Sequence, residues 1–120
     1  MAGELTTAVS FRYSKNGVEL ARSIGGTIDV SGNAFCYAIQ NIGTTEENLI
    51  VNDVSTNGYC IVKNVDATNY VTLGKTISAV YQPFLKIKPG ESQLIRFDSG
   101  TIQAKANTAA INLEYWLISD

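Results

Sequence analysis

From Glu4 to Ile118 the chain reads as a near-unbroken series of short stretches of alternating apolar and polar residues, separated by Gly, Asn, Pro and Asp turns. Alternation of period two places successive side chains on opposite faces of a strand. About ten such strands, with turn signals about every 8–12 residues, predict an all-β antiparallel sandwich, jelly-roll-like or Ig-like. With 120 residues, residues 1–120 are expected to form a single domain, long enough to hold a core without disulfides or metal.

The first unit reads as a hairpin. Leu5, Val9, Phe11 and Tyr13 alternate with Glu4, Ser10, Arg12 and Ser14, and Asn16-Gly17 follows. Both turn residues tolerate the positive φ of a type I′ turn. A two-residue loop there pairs Tyr13 with Leu20, Phe11 with Arg22 and Val9 with Ile24, which brings the apolar residues onto one face. The same parity runs on through Gly26, Ile28 and Val30, so Gly25-Gly26 reads as a bend within the strand. Next, Ala34 to Ile42 sets Phe35, Tyr37 and Ile39 against the small Ala34, Cys36 and Ala38, the pattern of a strand packed closely on both faces.

Further strands are expected over Leu49 to Val54, Tyr59 to Asn64, Tyr70 to Leu73, Phe84 to Lys88, Ser92 to Phe97, Thr101 to Ala106 and Ala110 to Ile118. Their breaks fall at Asn57-Gly58, Asp66 to Asn69, Gly74, and a loop around Pro89-Gly90. Thr44 and Glu47 stand at capping-box spacing, so that segment is either one helical turn or a polar loop. In the last strand Ile111, Leu113, Tyr115 and Leu117 share a face, while Trp116 and Ile118 make the other face apolar near its end. Such a strand is central in a sandwich or covered by a second subunit.

The residue inventory argues against an enzyme. The chain has no histidine, which removes Ser-His-Asp and Cys-His sites. Asp29, Asp53, Asp66 and Asp98 sit where Asp favours turns by bonding nearby backbone N–H groups. Glu46-Glu47 read as a solvated loop pair. No calcium loop, phosphate loop or zinc spacing is present, so no metal or cofactor is expected. Cys36 and Cys60 read as buried thiols; a disulfide would need their strands to be neighbours, and a cytoplasmic site of synthesis argues against one.

Net charge is -2 with no basic stripe, so nucleic acid is not an expected partner. No stretch is long enough to cross a bilayer, and MAGELTTAVSF lacks the basic and apolar regions of a secretory signal. Charged residues make up 17% of the chain, below the usual average of about 25%, which points to surface covered by a partner. Six tyrosines suit half-buried strands, and also interfaces and sugar platforms. Tyr81-Gln82-Pro83-Phe84, two aromatics beside a rigid proline after the irregular Gly74 to Val80 segment, is an interface candidate. Phe11 and Tyr13 on the hairpin, and Trp116 and Ile118 at the end of the last strand, are the others.

Three segments carry a resemblance: VKNVDATNYV, the KIKPGE turn leading into LIRF, and the closing AKANTAAINLEYWLI, with weaker similarity back through SGNAF and MAGELT. Together they resemble small proteins encoded among the virion structural genes of tailed bacteriophages. The resemblance implies a virion component assembled in the bacterial host cytoplasm: an oligomeric capsid decoration (cement) protein that binds and stabilises the head exterior. A homotrimer bound to the major capsid protein or another virion protein is the natural form. The alternative is a head- or tail-surface binding module that recognises host glycan or receptor, with Tyr70 or Tyr81 in contact. The shared segments encode turns and strands, so no functional residue is carried over.

Overall fold

The computed structural model describes residues 3–98 and 100–120. Met1 and Ala2, which open the MAGELT stretch, and Ser99 lie outside the described residues. The chain divides into two compact units, one ending at Ser31 and the other spanning Gly32–Asp120. All described secondary structure is β-strand in antiparallel sheets.

The first unit is the expected hairpin, β1 (Leu5–Lys15) paired with β2 (Val18–Ile28). Asn16 and Gly17 have φ of 52° and 79°, the left-handed pair that a type I′ turn requires. The register is as anticipated, with Tyr13 opposite Leu20, Phe11 opposite Arg22 and Val9 opposite Ile24. Gly25 and Gly26 stay within β2, which ends at Ile28. At the open end Asp29 accepts from the Gly3 N–H (2.7 Å) and Glu4 accepts from the Val30 N–H (2.9 Å).

The second unit contains β3 (Phe35–Ile42), β4 (Glu47–Asn48), β5 (Asn57–Asn64), β6 (Val71–Ile77), β7 (Val80–Ile87), β8 (Ser92–Arg96), β9 (Gln103–Ala106) and β10 (Ile111–Ser119). They form two four-stranded sheets, β3-β10-β5-β8 and β4-β9-β6-β7. The pairings are nested. β6 pairs with β7, β5 with β8, β4 with β9 and β3 with β10, as though one long hairpin were rolled up. β10·β5 and β9·β6 contacts then close the roll. This strand order is a jelly roll, one of the two sandwich forms expected from the sequence.

Alternation builds the core from both sheets. Ile111, Leu113, Tyr115 and Leu117 of β10 point inward beside Cys36 and Ile42 of β3 and Cys60 and Val62 of β5. Val71, Leu73, Ile87, Ala104 and Ala106 come from the second sheet. Each large side chain buried this way contributes about 1.5–3 kcal/mol. β10 lies between β3 and β5, so it is central in its sheet. Leu117 faces Cys36 on one side and Cys60 on the other, which sets the two cysteines two strand spacings apart. That is about 9.5 Å, beyond the roughly 7 Å that a disulfide can span. Both thiols are free and buried, and burial pushes Cys60 up to about 12.

Several expected elements differ. The irregular Gly74 to Val80 segment is regular: β6 continues to Ile77 and β7 starts at Val80, joined by Ser78-Ala79 at φ of 52° and 66°. The turn lacks Gly, Asn, Asp and Pro, so the sequence hid it. Gly74 continues β6 opposite Pro83, and the bulge lies on β7, where Phe84 is the extra residue between Pro83 and Leu85. A Cβ on Gly74 would lie 2.3 Å from the Gln82 carbonyl oxygen, so only glycine allows this approach. Asn57-Gly58 opens β5 instead of forming a turn, and Asn57 pairs with Ser119. Pro89-Gly90 lies on a crossover between sheets, not within a hairpin.

Leu49 to Val54 is not a strand. Beyond the Leu49 N–H bond to the Ile102 carbonyl (2.9 Å), side chains hold its backbone: the Ile50 N–H donates to Gln40 Oε1 (3.0 Å), and the Tyr115 hydroxyl donates to the Ile50 carbonyl (2.6 Å). Before it, Thr44 to Glu46 forms a loop without a helical turn, and Glu47, at the start of β4, accepts from the Gly43 N–H (3.1 Å).

Ala79 supports a direct expectation. An L-residue in the left-handed region costs about 1–2 kcal/mol, which glycine avoids. Ala79→Gly should therefore raise stability by roughly 0.5–1 kcal/mol net of glycine's extra chain entropy. A Tm that stays level or falls in a calorimetric scan would show that the turn is not strained.

One junction ties the three sequence blocks together. Asn64 is fully buried. Its Nδ2 donates to the carbonyls of Asn69 (2.9 Å) and Ile87 (3.1 Å), and its Oδ1 accepts from the Asp66 N–H (2.9 Å). Its backbone closes the KIKPGE turn through bonds with Glu91 and Gly90. Asp66 caps its own turn, accepting from the Thr68 and Asn69 N–H groups, which holds its carboxyl below the usual range. Asn107 and Thr108 of the third block bond Tyr70 and Asn69.

Candidate functional site

Three surfaces carry side chains that the core does not use. On the hairpin, period-two alternation puts Leu5, Val9, Phe11 and Tyr13 on the same face as Val18, Leu20, Ile24 and Ile28. The opposite face carries Thr6, Ser10, Arg12, Ser14, Glu19 and Ser23. Phe11 and Ile24 are each 59% exposed, and Val9, Tyr13, Val18 and Leu20 are also exposed. A lone two-stranded ribbon is marginal in water. An apolar face on one adds surface that water hydrates poorly.

The outer face of the β3-β10-β5-β8 sheet is the second surface. Registration aligns Tyr37, Trp116, Ile61 and Leu94 in one row across all four strands. Phe35 and Ile118 lie beside each other in the next row. Phe35 is 67% exposed, and Ile39, Ile61 and Trp116 are about half exposed or more. The Tyr37 and Trp116 rings pack at 4.2 Å between centroids, and the Tyr37 hydroxyl donates to Glu114 (2.7 Å). That bond to a carboxylate raises the tyrosine's pKa. Polar groups bound the patch: the Arg96 guanidinium lies 4.8 Å over the Tyr59 ring and pairs with Asp120 at 2.7 Å. A contiguous apolar area with a polar border is the form of a protein interface.

The third surface is a shallow groove of about 370 Å³ on the outside of the other sheet, lined by Tyr70, Thr72, Tyr81, Pro83, Lys105 and Asn107. Thr72 and Tyr81 share a hydrogen bond at 2.9 Å between their hydroxyl oxygens. Lys86 Nζ stands 4.1 Å from the Tyr70 ring centroid, and Lys105 Nζ stands 5.9 Å from that of Tyr81. Burial raises the Tyr81 pKa, and Glu46 adds to the shift.

These surfaces separate the residues singled out from the sequence. Phe11 and Tyr13 lie on the hairpin, Trp116 and Ile118 on the outer face of the first sheet, and Tyr81 and Pro83 in the groove. Phe84 is exposed and is the extra residue of the β7 bulge opposite Leu73 and Gly74. Tyr81 to Phe84 belong to β7 and not to the end of an irregular loop. Phe35, Tyr37 and Ile39 were expected to pack within the fold. Instead the small residues of β3 turn inward and these larger ones turn out. Ile61, Lys86, Lys105 and Thr72 carry no sequence signal of their own and gain meaning only through strand register.

Among the described residues no group of three or more acidic, Cys or His side chains is placed to hold a metal ion. Comparison with family models, curated proteins and solved structures returns no match for this chain.

Proposed function

We propose that this chain is a structural virion protein, an oligomeric decoration (cement) protein that binds the exterior of a phage head and stabilises it. The observation that carries the reading is the apolar row Tyr37–Trp116–Ile61–Leu94, exposed at its first three residues and half-buried at Leu94, which runs across an entire four-stranded sheet. Side chains of this kind lose free energy when a protein surface covers them. The apolar hairpin face supports the same reading from separate residues. Jelly rolls serve as capsid and lectin domains, an analogy of fold alone. In this reading copies associate through these faces, as a trimer, on the major capsid protein or another virion protein in the host cytoplasm. Many modest contacts become tight when an oligomer engages several sites together.

The test is sedimentation of the purified protein, followed by cosedimentation with head particles that lack it. An oligomer that binds the particles and raises their resistance to heat is the expected result. A monomer at high concentration that leaves the particles untouched would overturn the reading.

A further inference from the structure

We infer that the groove on the outer face of the β4-β9-β6-β7 sheet is a binding site for an acidic saccharide. It is independent of the apolar faces invoked for assembly and stands whether or not the protein coats a capsid.

The site is built by register. Thr72 of β6 pairs with Lys86 of β7 and with Lys105 of β9, so Lys86, Thr72 and Lys105 form one outward row. The two lysine Cα atoms lie on either side of β6, about 9.5 Å apart. Among the described residues neither Lys86 nor Lys105 takes part in an ion pair. Each ammonium is held instead near the face of a tyrosine, Lys86 over Tyr70 and Lys105 over Tyr81. This contact orients a cation without neutralising it. In a chain of net charge -2, two such lysines flanking one groove mark a local site for negative charge.

The remaining groups suit a sugar. Tyr70 and Tyr81 supply amphipathic rings. The bonded Thr72 and Tyr81 hydroxyls supply fixed polar atoms at the floor. Asn107 Oδ1 accepts from the Tyr70 N–H, which leaves its amide donor for a ligand. The volume falls at the lower end of small-ligand sites, about 300–1,000 Å³. Lysines this far apart suit successive charged groups along an extended chain; one small anion would need donors that converge. Glu46 is the opposing charge: it is near enough to act on Tyr81.

The experiment titrates the protein with a tetragalacturonate, a heparin-derived tetrasaccharide, cellotetraose and a short oligothymidylate, read by calorimetry and backbone amide NMR. At low salt at least one acidic tetrasaccharide should bind roughly tenfold or more tighter than cellotetraose, and the gap should narrow as salt screens the lysines. Amide shifts should cluster at Tyr70, Thr72, Tyr81, Lys105 and Asn107. Lys86→Gln with Lys105→Gln should remove that preference at unchanged Tm, Lys→Arg at both sites should keep it, and Glu46→Gln should tighten binding about two- to threefold. The inference is overturned if neither acidic probe binds below about 10 mM, if the glutamine variant binds as well as the parent, or if oligothymidylate is preferred.

Discussion

Asn64→Asp is expected to lower the stability of the sandwich by about 3–5 kcal/mol at neutral pH, although it changes one NH₂ group to an oxygen. The side chain is fully buried, and its amide nitrogen serves two carbonyls, those of Asn69 and Ile87. A carboxylate would face both with acceptor oxygens and no proton. Protonation would restore one donor, so burial should raise the introduced carboxyl's pKa above its unfolded value of about 3.9. A group shifted in this direction gives its full contribution below the unfolded pKa and loses it as pH rises through the folded value. The gap between variant and parent should therefore be wide at pH 7 and narrow near pH 4. Asn64→Ala separates charge from lost bonding. It orphans two carbonyls and the Asp66 N–H, each worth about 1–3 kcal/mol when left dry, and its deficit should not vary with pH in this way. Urea melts at two pH values decide the matter. Loss below about 0.5 kcal/mol, the range of ordinary surface changes, would show that Asn64 does not join these turns.

Asn64 separates what local sequence encodes from what only the folded chain supplies. The turns on either side of Asn64 were legible as composition, because Asp66 to Asn69 and Pro89-Gly90 are strong turn formers. That one buried amide bonds both was not, since Ile87, unlike the nearby Asn69, reaches it only through tertiary structure. Local signals carried the hairpin well: Asn16-Gly17 determines the turn, and the turn determines all the pairs after it. They failed where backbone demands were met by unexpected residues. Ser78 and Ala79 make a left-handed turn without glycine or asparagine, while Gly74, a strong breaker in sequence, is a paired residue of β6 opposite a bulge in β7. Leu49 to Val54 looks like a strand because Leu49, Val51 and Val54 are apolar, yet side chains of Gln40 and Tyr115 replace the neighbouring strand. The groove was half visible. Tyr70 and Tyr81 drew attention as aromatics, but Lys86 and Lys105 join them only because Thr72 pairs with both.

In the proposed assembly, Ile61→Glu is expected to weaken association of copies by about a thousandfold while leaving the fold intact. Ile61 is half exposed between Trp116 and Leu94, so a glutamate there reaches water in the isolated chain. Its effect on folding should stay near the ±0.5 kcal/mol typical of surface sites. In an assembly that covers this row, burial of the isoleucine is lost, roughly 1 kcal/mol for the exposed half of the side chain. An unpaired carboxylate must also be dehydrated, at several kcal/mol. Together these come to about 4 kcal/mol, or close to three decades in Kd. Gln82→Glu adds the same charge to an exposed strand of the other sheet, and association should be unchanged. Sedimentation equilibrium across a concentration series measures both variants. The parent should also melt at a temperature that rises with protein concentration, as linked association requires, and Ile61→Glu should lose that dependence. If the parent stays monomeric at all concentrations, or if both glutamates weaken it equally, the apolar row is not the surface that joins copies.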